Sequence, residues 1–199
     1  MTVARAESKE RGLYSPSYIV VSVFPPEINI NRRIEEIRNK YNLRIPAKIK
    51  PVGPHLTLKS PFNPTVPFEG LVQKLNEAAD RATAFPIELS GINRFGRKRS
   101  LVYISVTDST SPHIADLHRN IVGVLSGMTE DRGGNKFELD NFTPHVTIGE
   151  DRPSEDVWEN LLKEEINFQL TLNSFSLHYA PRVDGPWILK KVFMLGGTG

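Results

Sequence analysis

The sequence contains no cysteine. This absence excludes a disulfide framework, thiolate zinc sites, iron–sulfur ligation and a cysteine nucleophile. Long apolar runs are also missing: the first one, Tyr18 to Phe24, ends after seven residues at Pro25 and Pro26, whereas a membrane-spanning helix needs about 18. The polar N-terminus lacks the layout of a signal peptide. We therefore expect a cytoplasmic protein with no membrane partner.

Charge of one sign is not in excess either. Lysine and arginine total 25 against 23 aspartates and glutamates, a net charge of +2, so bulk electrostatics neither require nor exclude a polyanionic partner. No GxxxxGK[ST] motif follows a strand, and ATP use is not indicated. The 199 residues, 39% of them hydrophobic, suit a single bilobed domain preceded by a flexible segment over residues 1–16.

Hydrophobic periodicity predicts short strands that alternate with helices. The predicted strands are 17–24, 55–58, 85–92, 101–107, 144–148, 167–179 and 187–195, and the predicted helices are 27–41, 68–82, 111–128 and 154–165. The order restarts halfway, because Val102 follows Ile19 by 83 residues and His145 follows His55 by 90. This internal repeat, with units at about 18–93 and 101–179, predicts an α+β fold. We expect two pseudo-symmetric lobes, each a small mainly antiparallel sheet backed by helices, with a central cleft.

The repeated element is Pro-His-apolar-Thr-apolar, at residues 54–58 and again at 144–148. From the composition, one Pro-His-x-Thr match is expected roughly 0.02 times by chance. Side chains alternate along a strand, so in each copy the histidine and the threonine project to one side and the apolar residues to the other. If the lobes face each other, His55, Thr57, His145 and Thr147 converge on one pocket.

Two imidazoles and two hydroxyls around a pocket suit displacement at phosphorus. One neutral histidine can accept a proton from water while the other, protonated, donates one to the departing sugar oxygen. Thr57 and Thr147 can donate hydrogen bonds to the non-bridging phosphate oxygens. No metal ion or cofactor is needed, and the motif itself is symmetric, so the residues alone leave the acid and base roles exchangeable.

The paired motifs, each on a predicted strand and each preceded by proline, resemble those of the 2H phosphoesterase superfamily, which includes 2′-5′ RNA ligases and RNA 2′,3′-cyclic phosphodiesterases. The segments FPP, PHLTLKSPF, FTPHVTIGE and MLGG resemble most closely its YjcG-type bacterial branch. The resemblance implies a bilobed fold and metal-independent opening of a cyclic phosphodiester. It also implies that His55 is the proton donor, His145 the proton acceptor, and Thr57 and Thr147 the phosphate ligands.

The partner would then be a nucleotide or an RNA end bearing a cyclic phosphate, and we expect a monomer. Three alternatives remain open. Each histidine could be a structural strand residue. The two could bind zinc, although no HExxH or HxH spacing supplies a third ligand. The chain could also be a nucleotide- or RNA-binding module that has kept the pocket without turnover.

Other histidines and a lysine have less defined roles. His113 and His118 lie in a predicted helix at positions i and i+5, which indicates a solvated surface. His178 lies on the opposite face of its strand from its apolar neighbours and could face the cleft. Lys59 shares the face of Thr57 and could add positive charge near the phosphate.

Basic and aromatic residues could contact RNA. Residues 94–99 include Arg94, Arg97, Lys98 and Arg99, which could hold phosphates or form a solvated hairpin tip. The aromatic residues Phe62, Phe95 and Trp187 could stack on a base at the cleft mouth or belong to the core.

Overall fold

The computed structural model describes residues 17–24, 29–45, 52–96, 100–182 and 186–196. The N-terminal segment 1–16, predicted to be flexible, lies outside these ranges. The described strands are β1 (Ser17–Val23), β2 (His55–Pro64), β3 (Phe85–Phe95), β4 (Ser100–Val106), β5 (Thr129–Asp131), β6 (His145–Asp151), β7 (Asn167–Leu172), β8 (Ser174–Ala180) and β9 (Ile188–Met194). The described helices are α1 (Ile30–Lys40), α2 (Phe68–Asp80), α3 (Ser111–Val124) and α4 (Glu155–Leu161).

All the described strands belong to one antiparallel sheet, in the order β7-β3-β4-β6-β2-β1-β8-β9, with β5 paired to the end of β2. The predicted single strand at 167–179 is wrong, because it divides at Asn173 into β7 and β8. One residue joins these two strands, although five other strands lie between them in the sheet order. The sheet is therefore curled, and Leu195 N after β9 donates to Asn173 O, between β7 and β8, at 2.8 Å.

The predicted α+β fold with two mainly antiparallel lobes is confirmed, and the lobes share one continuous sheet. They meet where β2 pairs with β6. β1 flanks β2 and β4 flanks β6 on either side of that contact. The final strand of each sequence half crosses to the other lobe, since β3 pairs with β4 and β8 pairs with β1. The repeat boundaries at 18–93 and 101–179 stay a prediction.

Burial of apolar side chains between the helices and one face of the sheet forms the main core. On α1 the buried residues follow helical spacing as Ile30, Ile34 and Ile37. On α2 they include Leu71 and Leu75, and all these side chains join one cluster with the inward residues of the strands. The opposite face of β2 and β6 is thereby left to other side chains. No helix in the described ranges is long and apolar enough to cross a membrane.

Gly149 sits on β6 where the backbone of another segment comes close. Arg44 N donates to Glu150 O at 3.1 Å, and Glu150 N donates back to Arg44 O at 2.8 Å. A Cβ on Gly149 would lie 2.8 Å from Arg44 O and 3.0 Å from Leu43 Cβ. The backbone bridge that holds residues 43–44 against β6 therefore requires glycine, which has no side chain, at position 149.

We predict that Gly149→Ala lowers the free energy of unfolding by about 1–3 kcal/mol, because the methyl group forces the backbone bridge apart. Gly123→Ala is the matched control, since a Cβ there meets no atom within 4 Å and alanine is favourable in a helix. Urea denaturation of both variants measures the difference. Equal stability of the Gly149→Ala and wild-type proteins would contradict the close approach.

Candidate active site

The two repeated motifs lie on adjacent strands and project to the same face of the sheet. The register of β2 with β6 places Leu56 opposite Val146, and both are fully buried in the main core. The residues on either side of that pair project to the opposite face, and these are His55, Thr57, His145 and Thr147. Because the two strands run antiparallel, His55 lies on the same side of the Leu56–Val146 pair as Thr147, and Thr57 on the same side as His145. We call this the site face.

Both motif histidines are held by the backbone in the same way. His55 Nδ1 lies 2.8 Å from Gly53 O, and His145 Nδ1 lies 2.7 Å from Thr143 O. A carbonyl oxygen only accepts hydrogen bonds, so each Nδ1 carries the hydrogen and donates it. The Nε2 atom of each ring is then the one that can exchange a proton with a bound molecule.

Burial makes both rings hard to protonate. His55 is 7% exposed, and this desolvation lowers its pKa from 6.5 to about 4, against the opposing effect of the bond to Gly53 O and with a further lowering by His178 and His145. Burial also lowers the pKa of His145, and its bond to Thr143 O opposes the shift. Both imidazoles are therefore neutral at pH 7.

Aromatic rings fix the position of His145. The Phe95 ring meets it edge-on at a centroid distance of 5.0 Å, and the Tyr103 ring lies 5.1 Å away. These two rings stack on each other at 4.3 Å. Tyr103 was not predicted as a site residue, although the alternation of β4 places it on the same face as its partner in the register, Thr147.

A cavity of about 370 Å³ adjoins this constellation. Its lining includes Thr57, His145, Phe95, Leu101, Phe137 and Phe142. His55 does not line it, and Thr147 instead borders a smaller space of about 170 Å³ beside Gly53 and Pro54. The two motifs thus lie between a larger aromatic cavity and a smaller polar one.

Lys59 lines the larger cavity but its charge is neutralised. Its Nζ donates to both carboxylate oxygens of Glu138, at 2.8 and 2.9 Å, and Glu138 also accepts from Ser60 N at 3.1 Å. Both side chains of the ion pair are buried. The expected free positive charge beside Thr57 is therefore absent. Glu138 was missed because it lies 79 residues from Lys59 in a polar segment with no recognisable pattern.

The prediction that His118 is a solvated surface residue is wrong. Its side chain is 1% exposed, its Nδ1 donates to Leu58 O at 2.8 Å, and its Nε2 accepts from Leu139 N at 2.8 Å. Its ring stacks on Phe142 with centroids 3.9 Å apart. The buried residues of α3, namely Ile114, Leu117, His118 and Ile121, follow the spacing i, i+3, i+4, i+7, and this signal could have found it. His113 is exposed, as predicted.

His178 lies on the site face. Val21 of β1 pairs with Thr57 on one side and with Ser176 on the other, so His178, two residues beyond Ser176, shares the face of the motif histidines. Its Nε2 lies 3.0 Å from Ser176 Oγ, and its buried Nδ1 has no partner. Burial lowers its pKa. His178 therefore shares the sheet face of the motif histidines, and its place in a cleft stays a prediction.

The predicted basic cluster is only partly described, since residues 97–99 lie outside the described ranges. Arg94 is held in place: its guanidinium lies over the Trp158 ring at 4.2 Å and 3.4 Å from Glu155. These contacts attach α4 to β3, so Arg94 has a packing role.

The three candidate stacking residues divide between core and cavity. Phe62 is fully buried in the main core, and Trp187 is buried in a smaller cluster with Ile19 and Val21. Phe95 is 38% exposed and lines the larger cavity. Among the described residues, no group of three or more histidine, aspartate or glutamate side chains is arranged to hold a metal ion.

Comparison with known proteins gives a consistent result. The family model described as "2'-5' RNA ligase superfamily" matches residues 25–183. A protein named "Putative phosphoesterase" from Geobacillus sp. (strain WCH70) is 26% identical over 181 residues, covering 89% of this chain and 95% of that one. One from Bacillus pumilus is 26% identical over 173 residues, covering 85% and 95%.

Solved structures share the fold. A crystal structure of a phosphoesterase matches with a TM-score of 0.64 and 17% identity, covering 92% of this chain and 99% of that one. Escherichia coli LigT complexed with 3'-AMP matches with a TM-score of 0.62 and 20% identity over the same shares of the two chains.

We predict that the His55 ring stays neutral down to about pH 4, because burial lowers its pKa to about 4. Histidine ring signals in nitrogen-15 NMR, followed from pH 8 to pH 3.5, measure this directly, and loss of one signal in His55→Gln assigns it. A His55 titration midpoint between pH 6 and 7 would show that water reaches the ring freely.

Proposed function

This chain belongs to the 2'-5' RNA ligase superfamily, and from that premise we propose that it is a metal-independent phosphoesterase. It opens 2′,3′-cyclic or 2′-5′ phosphodiester bonds in RNA or in small nucleotides. The observation that carries the proposal is the placement of two histidines and two threonines on one sheet face around the Leu56–Val146 pair. The name "Putative phosphoesterase" of the relatives supports the reaction class, and the 3'-AMP bound to LigT supports a nucleotide ligand.

The reaction needs one proton acceptor and one proton donor. His145 Nε2 takes a proton from water as the water oxygen bonds to phosphorus, and His55 Nε2 gives a proton to the sugar oxygen as its bond to phosphorus breaks. The order of these roles follows the family resemblance. Thr57 and Thr147 donate hydrogen bonds to the non-bridging oxygens and stabilise the charge that builds on them in the transition state.

Because the pKa of His55 is low, substrate binding must also favour protonation of its ring. A proton donor must be protonated before it acts, and His55, with a pKa of about 4, is neutral at pH 7. A bound phosphodiester places a negative charge beside the ring, and a nearby opposite charge favours the imidazolium form. Binding of the anion therefore raises the pKa of His55, and the ring takes up a proton from solvent.

One observation favours a second function. His55 is 7% exposed and does not line the larger cavity. A ring that stayed neutral in the complex could hold a nucleotide but could not donate a proton. The second candidate is therefore a non-catalytic nucleotide- or RNA-binding module with the same pocket.

We predict that wild-type protein hydrolyses at least one of 2′,3′-cyclic AMP, RNA with a cyclic phosphate end and a 2′-5′ dinucleotide, with EDTA present. His55→Ala and His145→Ala should each lower kcat by about 10²–10⁴-fold, because each removes one proton-transfer group. His113→Ala, an exposed histidine outside the site, is the control. Circular dichroism checks that each variant folds.

The other outcomes separate the alternatives. Full activity of His145→Ala would contradict the mechanism. Activity that EDTA abolishes and zinc restores would indicate a metallohydrolase. Tight nucleotide binding without hydrolysis of any substrate would indicate the binding module.

A further inference from the structure

We propose that His118 is a positioning residue for His145, the proton acceptor. Its side chain is 1% exposed, and the proposed mechanism gives it no role. His118 connects the strand of the first motif to the segment that leads into the second motif, and it acts through the backbone before His145 rather than on the substrate itself. This inference rests on the proposed function, because it assigns a further residue to the same reaction.

Both ring nitrogens of His118 have defined roles. Nδ1 lies 2.8 Å from Leu58 O, and because a carbonyl oxygen only accepts hydrogen bonds, Nδ1 carries the hydrogen. Nε2 is then an acceptor, and Leu139 N donates to it at 2.8 Å. The ring therefore joins α3 to β2 on one side and to the 3-10 turn Leu139–Asn141 on the other.

A stiff stretch of backbone connects this turn to the second motif. Phe142 N closes the turn by donating to Leu139 O at 3.0 Å, and the Phe142 ring stacks on the same imidazole with centroids 3.9 Å and planes 4° apart. Thr143 follows, and its carbonyl oxygen accepts from His145 Nδ1 at 2.7 Å. Pro144 fixes its own φ and confines Thr143 to extended backbone. The location of the turn therefore determines where Thr143 O holds the His145 ring.

The same contacts hold the strand of the first motif. Leu58, which accepts from His118, directly follows Thr57 on β2. The next residue, Lys59, binds Glu138, which precedes the turn. Because β2 and β6 share one registered pair, these contacts add a second connection between the two motifs. The separation of the motifs therefore depends on His118 as well as on the sheet.

The backbone of the turn needs an external constraint. Leu139 has a φ of 53°, which is unfavourable for a leucine side chain and persists only where surrounding contacts impose it. The Leu139 side chain is 50% exposed, so its own packing supplies little of this constraint. The hydrogen bond from Leu139 N to His118 Nε2 therefore helps to keep the strained residue in place.

This connection exists only while His118 is neutral. A protonated ring would carry hydrogen on Nε2 as well, and that hydrogen would point at the N–H of Leu139. Burial lowers the pKa of His118 and keeps the ring neutral at pH 7. The other groups that act on this pKa are Leu58 O and Glu138, which raise it, and Lys59 and Arg119, which lower it.

Two conservative variants separate the two hydrogen bonds of His118. In His118→Gln the amide oxygen lies near the position of Nε2 and still accepts from Leu139 N, whereas in His118→Asn the amide lies near Nδ1 and reaches only Leu58 O. We expect His118→Asn to lower kcat by about 10–100-fold with little change in KM, because the proton acceptor is displaced. His118→Gln should keep most of the activity. His113→Asn, at an exposed position of the same helix, is the matched control.

Nitrogen-15 NMR of the His145 ring tests the positioning without turnover, and loss of one signal in His145→Gln assigns it. In wild type and in His118→Gln the hydrogen should stay on Nδ1, because Thr143 O accepts it. In His118→Asn we expect exchange with the Nε2–H form, which a loss of stability alone would not produce. Phe142→Leu, which removes the ring stack and keeps an apolar side chain, should show the same exchange and decides if His118→Asn does not fold.

Three results would overturn the positioning role. They are a wild-type kcat in folded His118→Asn, equal losses of kcat in His118→Asn and His118→Gln, and an unchanged His145 tautomer in the folded variants. Failure of the proposed function gives a different result. If wild type hydrolyses no substrate while the tautomer exchange occurs as expected, the catalytic function is overturned and the positioning of His145 by His118 is supported.

Discussion

The contact between β2 and β6 is the constraint on which the site depends. The two strands share one registered pair, Leu56 with Val146, and the burial of this pair in the main core commits the alternate residues of both strands to the other face. A shift of one residue in this register would turn both histidines inward and the apolar residues outward. The hydrophobic core therefore determines where the site side chains lie, because the same alternation that buries Leu56 and Val146 places the imidazoles and hydroxyls on one face.

The motif histidines are buried, although one of them must carry a positive charge to act as a proton donor. Desolvation keeps both motif histidines neutral at pH 7, and it lowers the pKa of His55 to about 4. A buried imidazole is a poor proton donor until an anion arrives, so the chemistry and the binding of a phosphate are coupled. The neutral Lys59–Glu138 pair fits this scheme, since a free lysine beside Thr57 would compete for the anion and disfavour a charged imidazole.

Local sequence patterns predicted most helices and strands, whereas contacts between residues distant in sequence could not be predicted from them. The alternation in the two His-x-Thr motifs placed four side chains on one face from sequence alone, and helical spacing located most of the core. The division at Asn173 was missed although the alternation of apolar residues shifts by one position there, from Phe168, Leu170 and Leu172 in β7 to Phe175, Leu177 and Tyr179 in β8. Glu138 could not be predicted, since its partner Lys59 lies 79 residues away. The burial of His118, by contrast, could have been predicted from its spacing on α3.

The most direct test of the central claim is a crystal structure of the protein with vanadate, which adopts the geometry of a phosphoryl group in displacement. We predict a vanadium atom on the site face, with the Nε2 atoms of both motif histidines and both threonine hydroxyls within hydrogen-bond distance of its oxygens. Vanadate bound elsewhere, or in contact with one motif alone, would contradict the claim that the duplicated motifs form a single phosphate site.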